Sequence, residues 1–234
     1  MTVTIATGRL FSGSLGAARA CGIAGAIACV EGSHLVEVDS ARTLAHHAIP
    51  MTARLREVFA AGELASFVFG RDGIHHDGDG EPYAGYVSTW SPNMQLVEEA
   101  LHEAVWASEP LAAVAIGDPD VVDAAHAALR EHAALFTVSF AVSACPGKHA
   151  LLVRAAGVSK GTGLAALCKV AGCTLAEAVV VGDWVNDIPM FQVAGRSFVM
   201  GGAPDHVAET ATDVLVSPSG GGGGIAEAIR RAWG

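Results

Sequence analysis

The chain has 234 residues, 51% apolar and 16% charged, with a formal net charge of −10. This is a globular composition with enough apolar surface for one large or two modest domains, and its acidity argues against nucleic acid and anionic membrane as partners. Five cysteines without a CxxC pair, no apolar run approaching ~18 residues and no signal-peptide pattern in Met1–Arg9 give the expectation of a reduced, cytoplasmic protein without a membrane span.

Val3 to Ala6 reads as a buried strand ending in Thr7-Gly8-Arg9, followed by a helix from Ser14 to Cys21 and a second buried strand from Ala26 to Val30. The turn Glu31-Gly32-Ser33-His34 closes that strand. The middle of the chain has a different character. Leu44–Ile49 reads as a strand, Thr52–Ala61 as a helix, and Phe67–Phe69 with Ile74–His76 as a hairpin around Arg71-Asp72-Gly73. The spacing of Leu96, Val97, Ala100, Leu101, Ala104 and Val105 predicts one helix over 93–107. A strand at Leu111–Ile116, a helix capped by Asp118 and a strand at Phe136–Val142 follow. The last third alternates regularly: strands at Leu151–Val153, Val179–Val181, Ser197–Met200 and Val214–Val216 are separated by helical stretches. Such alternation predicts a parallel sheet covered on both faces. The expected fold class is therefore α/β. Its doubly wound, Rossmann-like core comprises residues 1–34 and 146–234, and an α+β cap is inserted at 35–145.

Three segments carry candidate chemistry. In Val179-Val180-Val181-Gly182-Asp183-Trp184-Val185-Asn186-Asp187 a buried strand runs into a loop bearing two carboxylates and an amide. Ligands of open α/β sheets bind beyond the carboxyl ends of strands, and Mg²⁺ prefers carboxylate, water and phosphate oxygens. Asp183, directly after the strand, is the first metal-ligand candidate. Asp187 would bind the metal, act through water or orient another group, while the same loop alone reads equally well as a helix cap. Ser159-Lys160-Gly161-Thr162-Gly163 places an ammonium at a helix start, where backbone N–H groups favour anions; it lacks the GxxxxGK[ST] spacing of a Walker A loop. Thr7, Gly8 and Arg9 offer a hydroxyl, N–H groups and a cation at a strand end. Elsewhere, His46-His47 and His75-His76 are adjacent pairs that a strand would send to opposite faces, so neither is expected to chelate one ion. His34 is a candidate to face the cleft, and Gly220–Gly224 reads as a surface loop.

Taken together, in this order and strand context, the three segments resemble the haloacid dehalogenase-like superfamily, in particular its Cof-type phosphatases with a large α/β cap. The resemblance covers essentially the whole chain. It implies that Thr7, with Gly8 and Arg9, holds the transferring phosphoryl group, that Lys160 and Asn186 help to bind it, and that the GDxxND-like stretch Gly182–Asp187 holds Mg²⁺ through Asp183 and Asp187 with Asn186 assisting. Thr7, Lys160 and Asp187 are thus the expected catalytic set. The family's first motif, DxD at the end of the first core strand, has no match. Asp118-Pro119-Asp120 reads as a helix cap and Asp77-Gly78-Asp79 as a solvated turn. A strand, loop and helix ahead of Thr7 would need ~30 residues, the size of a βαβ unit. Three explanations remain open: a truncated form, which is preferred; closure of the two flanking strands on each other; or a strand supplied by a second copy, that is, homo-oligomerisation or strand exchange. The implied function is Mg²⁺-dependent hydrolysis of a small phosphorylated metabolite such as a sugar phosphate. The alternative is a catalytically inactive relative that binds a phosphorylated ligand.

Overall fold

The computed structural model describes residues 1–61 and 63–234. The chain opens with an extended segment whose Ala6 forms a single parallel bridge to Ala28. Helix α1 (Phe11–Ala20) and strand β1 (Ala26–Cys29) follow, and β1 continues into an antiparallel sheet with β2 (His34–Glu37) and β3 (Thr43–His46). The expected strand at Val3–Ala6 is reduced to that bridge. Thr7 N–H donates to Ala28 O and Ala28 N–H to Ile5 O, while Val3 is exposed.

The middle of the chain builds a six-stranded sheet in the order β6-β5-β4-β7-β9-β8. Its strands are β4 (Ala65–Phe69), β5 (Ile74–His76), β6 (Met94–Leu96), β7 (Ala112–Gly117), β8 (Leu135–Ala141) and β9 (His149–Ala155). All ladders are antiparallel except β5–β6. The period-2 alternation of strands sorts the side chains into two layers. Val68, Ala113, Ala115, Leu151 and Val153 pack under α2 (Ala53–Ala60) and α5 (Pro119–Leu129). Phe67, Phe69, Val114 and Ile116 face the other way, onto Leu10, Ile27 and Val30. Two short helices, α3 (Ala84–Val87) and α4 (Glu103–Trp106), complete this part.

Two sequence expectations fail here. Strand β9, expected to return the chain to the parallel core from residue 146, pairs instead with β7 and β8 along its whole length. A strand central in a mixed sheet is buried on both faces and has the same apolar composition as a parallel-core strand. The sheet therefore changes only after Ala155. The helix expected over 93–107 is split. Met94–Leu96 adds to the open edge of β5, Ala100 N–H donates to the Asp77 carboxylate, and only Glu103–Trp106 is helical. Pairing with an unsatisfied sheet edge outweighs the weak preference of a short helix.

The last third is a parallel three-stranded sheet, β10 (Val179–Gly182), β11 (Arg196–Gly201) and β12 (Asp213–Pro218), wrapped on both faces. Val180 and Val199 pack against α6 (Lys160–Ala171), α7 (Ile188–Phe191) and α8 (Asp205–Ala208), while Phe198 and Leu215 pack under α9 (Gly224–Trp233). Helix α6 starts with a reciprocal cap: Ser159 Oγ accepts from Thr162 N–H and Thr162 Oγ1 from Ser159 N–H, at 3.3 and 2.9 Å. It ends at Gly172 in the left-handed conformation, φ +70°. Among the described residues no helix is long and apolar enough to cross a membrane.

Candidate active site

The centre of the acidic loop is a buried ion pair. Lys160, at the first turn of α6, reaches Asp187 Oδ1 at 2.6 Å, and Asp187 is only 2% exposed. The other oxygen, Oδ2, accepts the backbone N–H groups of Asp183 (2.8 Å) and Trp184 (3.0 Å). Each carboxylate oxygen is thus engaged, and the loop is wound around its own acidic side chain. Gly182 permits this: a Cβ there would lie 2.4 Å from the Asp187 carboxyl carbon. Asp187 already accepts a cation on one oxygen and two amides on the other. Of the three roles left open for it, the geometry matches the orienting one.

A second knot joins the chain's first turn to this loop. Glu31 adopts a left-handed backbone, φ +58°, and is nearly buried. Its N–H donates to Thr7 O, and its Oε1 accepts from Asn186 Nδ2 at 2.8 Å. Gly8 lies directly beneath; a Cβ at that position would come 2.5 Å from Glu31 Oε1. Thr7 Oγ1 accepts from Arg9 N–H at 3.2 Å, and the Arg9 side chain is exposed. Glycine again sets the approach of α6: Gly32 lies against Ser159 O and Gly163, and Gly161 against Pro189 O. The chain of contacts Thr7–Glu31–Asn186–Asp187–Lys160 therefore brings the amino-terminal turn, the helix-start lysine and the acidic loop together at the carboxyl ends of the strands.

Asp183 is partly exposed and accepts from Ser219 Oγ at 2.5 Å. The buried amide oxygen of Asn186 has no hydrogen-bond partner. Asp183 and Asn186 each carry an oxygen of the type that a hard cation such as Mg²⁺ accepts. Among the described residues no group of three His, Cys, Asp or Glu side chains forms a ready metal cluster.

His34 does not face the cleft: it is buried, its Nε2 meets Thr43 Oγ1 at 2.9 Å, and its ring stands edge-on to His46. Asp118 binds Lys148 at 2.7 Å beside the start of α5, and Asp77 closes its own turn through Asp79 N–H, so neither DxD stretch joins the site. The flanking strands do not close on each other: Ala6 and Val180 share one apolar cluster, yet no ladder among the described residues joins their segments.

Sequence reasoning missed Ser219 and Arg154 and treated Glu31 only as a turn residue. Ser219 sits in what read as a plain surface loop and carries no local signal. Arg154 did carry one, as the single charge inside the run Ala150–Ala156. Arg154 lies across a small cavity, about 30 Å³, from Gly8 and Glu31.

A parallel sheet wrapped on both faces, with its acidic loop and helix-start lysine at the strand ends and a second sheet laid across them, defines a doubly wound α/β core with a cap-like insert. The chain belongs to the haloacid dehalogenase-like hydrolases, whose family model matches residues 1–229. A solved haloacid dehalogenase-like hydrolase of Bacteroides thetaiotaomicron superposes with a TM-score of 0.83 at 20% identity, covering 98% of this chain and 86% of that one. A subclass IIB sugar phosphatase superposes with a TM-score of 0.75 at 17% identity, covering 99% and 84%. A phosphoglycolate phosphatase of Archaeoglobus fulgidus is 41% identical over 75 residues, 32% of this chain and 33% of the relative. The chain spans about a third of the length of the curated relatives it matches.

Proposed function

We propose that this protein is a phosphatase that takes a small phosphomonoester at the junction of the Thr7 turn, the start of α6 and the acidic loop. The observation that carries this reading is the Lys160–Asp187 pair. A buried ammonium, held by one carboxylate at the N-terminus of a 12-residue helix, is poised to meet a phosphoryl oxygen. Thr7 Oγ1 and the Gly8 N–H would supply further donors, and Arg9 adds exposed positive charge at the rim. Asp187 fixes the lysine and turns the loop so that Asp183 points outward. Asp183, with the Asn186 amide oxygen, would hold Mg²⁺, which supplies charge neutralisation at the phosphoryl group. The insert's apolar face would exclude water and read the rest of the substrate.

A second reading has its own support. Each carboxylate gathered at the site is already engaged: Glu31 by Asn186, Asp183 by Ser219 and Asp187 by Lys160. Neither DxD stretch of the described residues joins them, which favours binding of a phosphorylated ligand without turnover. An aryl phosphate assayed with and without Mg²⁺ decides between them. Mg²⁺-dependent turnover that Asp183→Ala abolishes supports the phosphatase; saturable phosphate-ester binding without turnover supports the binding protein.

A further inference from the structure

Arg154 is a buried cation without a counter-ion. It is 5% exposed, yet it makes no ion pair among the described residues. One edge of its guanidinium is used: Nη1 donates to Val158 O at 2.9 Å. The plane is fixed by Phe136, whose ring centre lies 4.5 Å from the guanidinium carbon and which sits opposite Arg154 in the β8–β9 ladder. The other edge is open. Nε is buried with no partner, and Nη2 makes no hydrogen bond to a described residue. Nε–H and Nη2–H are the two parallel donors with which arginine grips a planar, two-oxygen anion. An orphaned charged donor of this kind is costly to bury and is ordinarily retained for a ligand.

Arg154 also lines a cavity whose wall includes Gly8 of the proposed phosphate cradle. Gly8 and Glu31 form one wall; Phe69, Trp90 and Phe140 supply apolar walls, and Arg154 is its cation. Ala112, opposite Arg154 on β7, also lines this cavity and brings only a methyl group to it. Burial holds the basicity of Arg154 below its ordinary value, and the Glu31 carboxylate nearby counters this in part. The size and charge of the cavity select the occupant. A single fork set among aromatic walls satisfies a carboxylate, whose two oxygens lie on one edge. A second phosphate would leave oxygens against apolar rings and would sit as a dianion beside Glu31.

We infer that Arg154 is the specificity-determining residue of this site and that it selects small phosphomonoesters bearing a carboxylate a few bonds from the phosphate. The inference rests on the proposed phosphate cradle, and it adds the group that distinguishes one phosphomonoester from another. Titration calorimetry with 2-phosphoglycolate and with 2-hydroxyethyl phosphate, which lacks the carboxylate, tests it on the unaltered protein. The carboxylated ligand is expected to bind about tenfold or more tightly, a difference of about 1.4 kcal/mol or more. Arg154→Met should erase that preference, and Arg154→Lys, which keeps the charge and loses the fork, should retain only part of it. Equal affinity of the two ligands for the unaltered protein, or a preference that survives in a folded Arg154→Met, overturns the inference. Turnover of an aryl phosphate that bears no carboxylate, read in parallel, separates the two claims. If turnover persists without discrimination, the specificity claim alone falls. If there is neither binding nor turnover, the phosphate cradle falls with it.

Discussion

The Lys160–Asp187 pair shows how one contact serves both folding and chemistry. Two opposite charges taken out of water repay their desolvation only if the remaining hydrogen-bonding capacity is met, and the two loop amides on Asp187 Oδ2 do part of this. Removing one partner leaves the other charge buried alone. Lys160→Met is therefore expected to lower unfolding stability by about 3–5 kcal/mol, measured by urea titration. A change near zero would mean that the pair is solvated. His34 gives a second test at this scale. Burial first, then the nearby His46, lowers its pKa from 6.5 to about 4. Because the folded value lies below the unfolded one, the unfolded chain binds more protons between pH 6.5 and pH 4. Stability is full above that window and falls as the pH drops through it. A loss of about 3 kcal/mol is expected, and His34→Gln should flatten the slope in pH-dependent denaturation. Local strings made Lys160, Asp183 and Asp187 legible, because strand, loop and helix cap are adjacent in the chain. Glu31 and Ser219 meet their partners 155 and 36 residues away, and no local pattern encodes such a contact.

At the scale of elements, alternation of apolar runs sufficed to place β10, β11 and β12 and the helices between them. It did not place β9, because hydrophobic content reports burial on two faces and not which sheet provides it. Nor did it place β6, where the helical spacing of Leu96, Val97 and Ala100 was overruled by an edge only the folded sheet creates. The close seating of α6 rests on glycine. A Cβ on Gly161 would stand 2.4 Å from Pro189 O, and one on Gly163 would stand 3.1 Å from Gly32 Cα. Gly161→Ala must push the helix start away from the acidic loop. The expected cost is about 1–3 kcal/mol, with a fall in thermal midpoint, accompanied by weaker phosphate-ester binding as Lys160 is displaced. Gly16, around which a Cβ meets nothing within 4 Å, is the matched control, and Gly16→Ala should leave binding unchanged.

At the scale of the whole molecule, two open sheet edges flank the apolar cluster that holds Ala6 and Val180. Among the described residues β10 pairs with β11 only, and the segment through Ala6 pairs with β1 only. Exposed edges of this kind recruit other strands. Light scattering across a concentration series is expected to show association rising with protein concentration, and a strictly monomeric profile would contradict this. The loop after β12 carries a different consequence. Ser219 tethers it to Asp183, and beyond that tether Gly220, Gly222 and Gly223 all adopt positive φ. Whatever coordinates Asp183 competes with the serine hydroxyl, so a loaded site would release the glycine run. Proteinase K should nick the chain near Gly221 faster when the acidic loop is filled, making backbone cleavage a reporter of occupancy that needs no turnover.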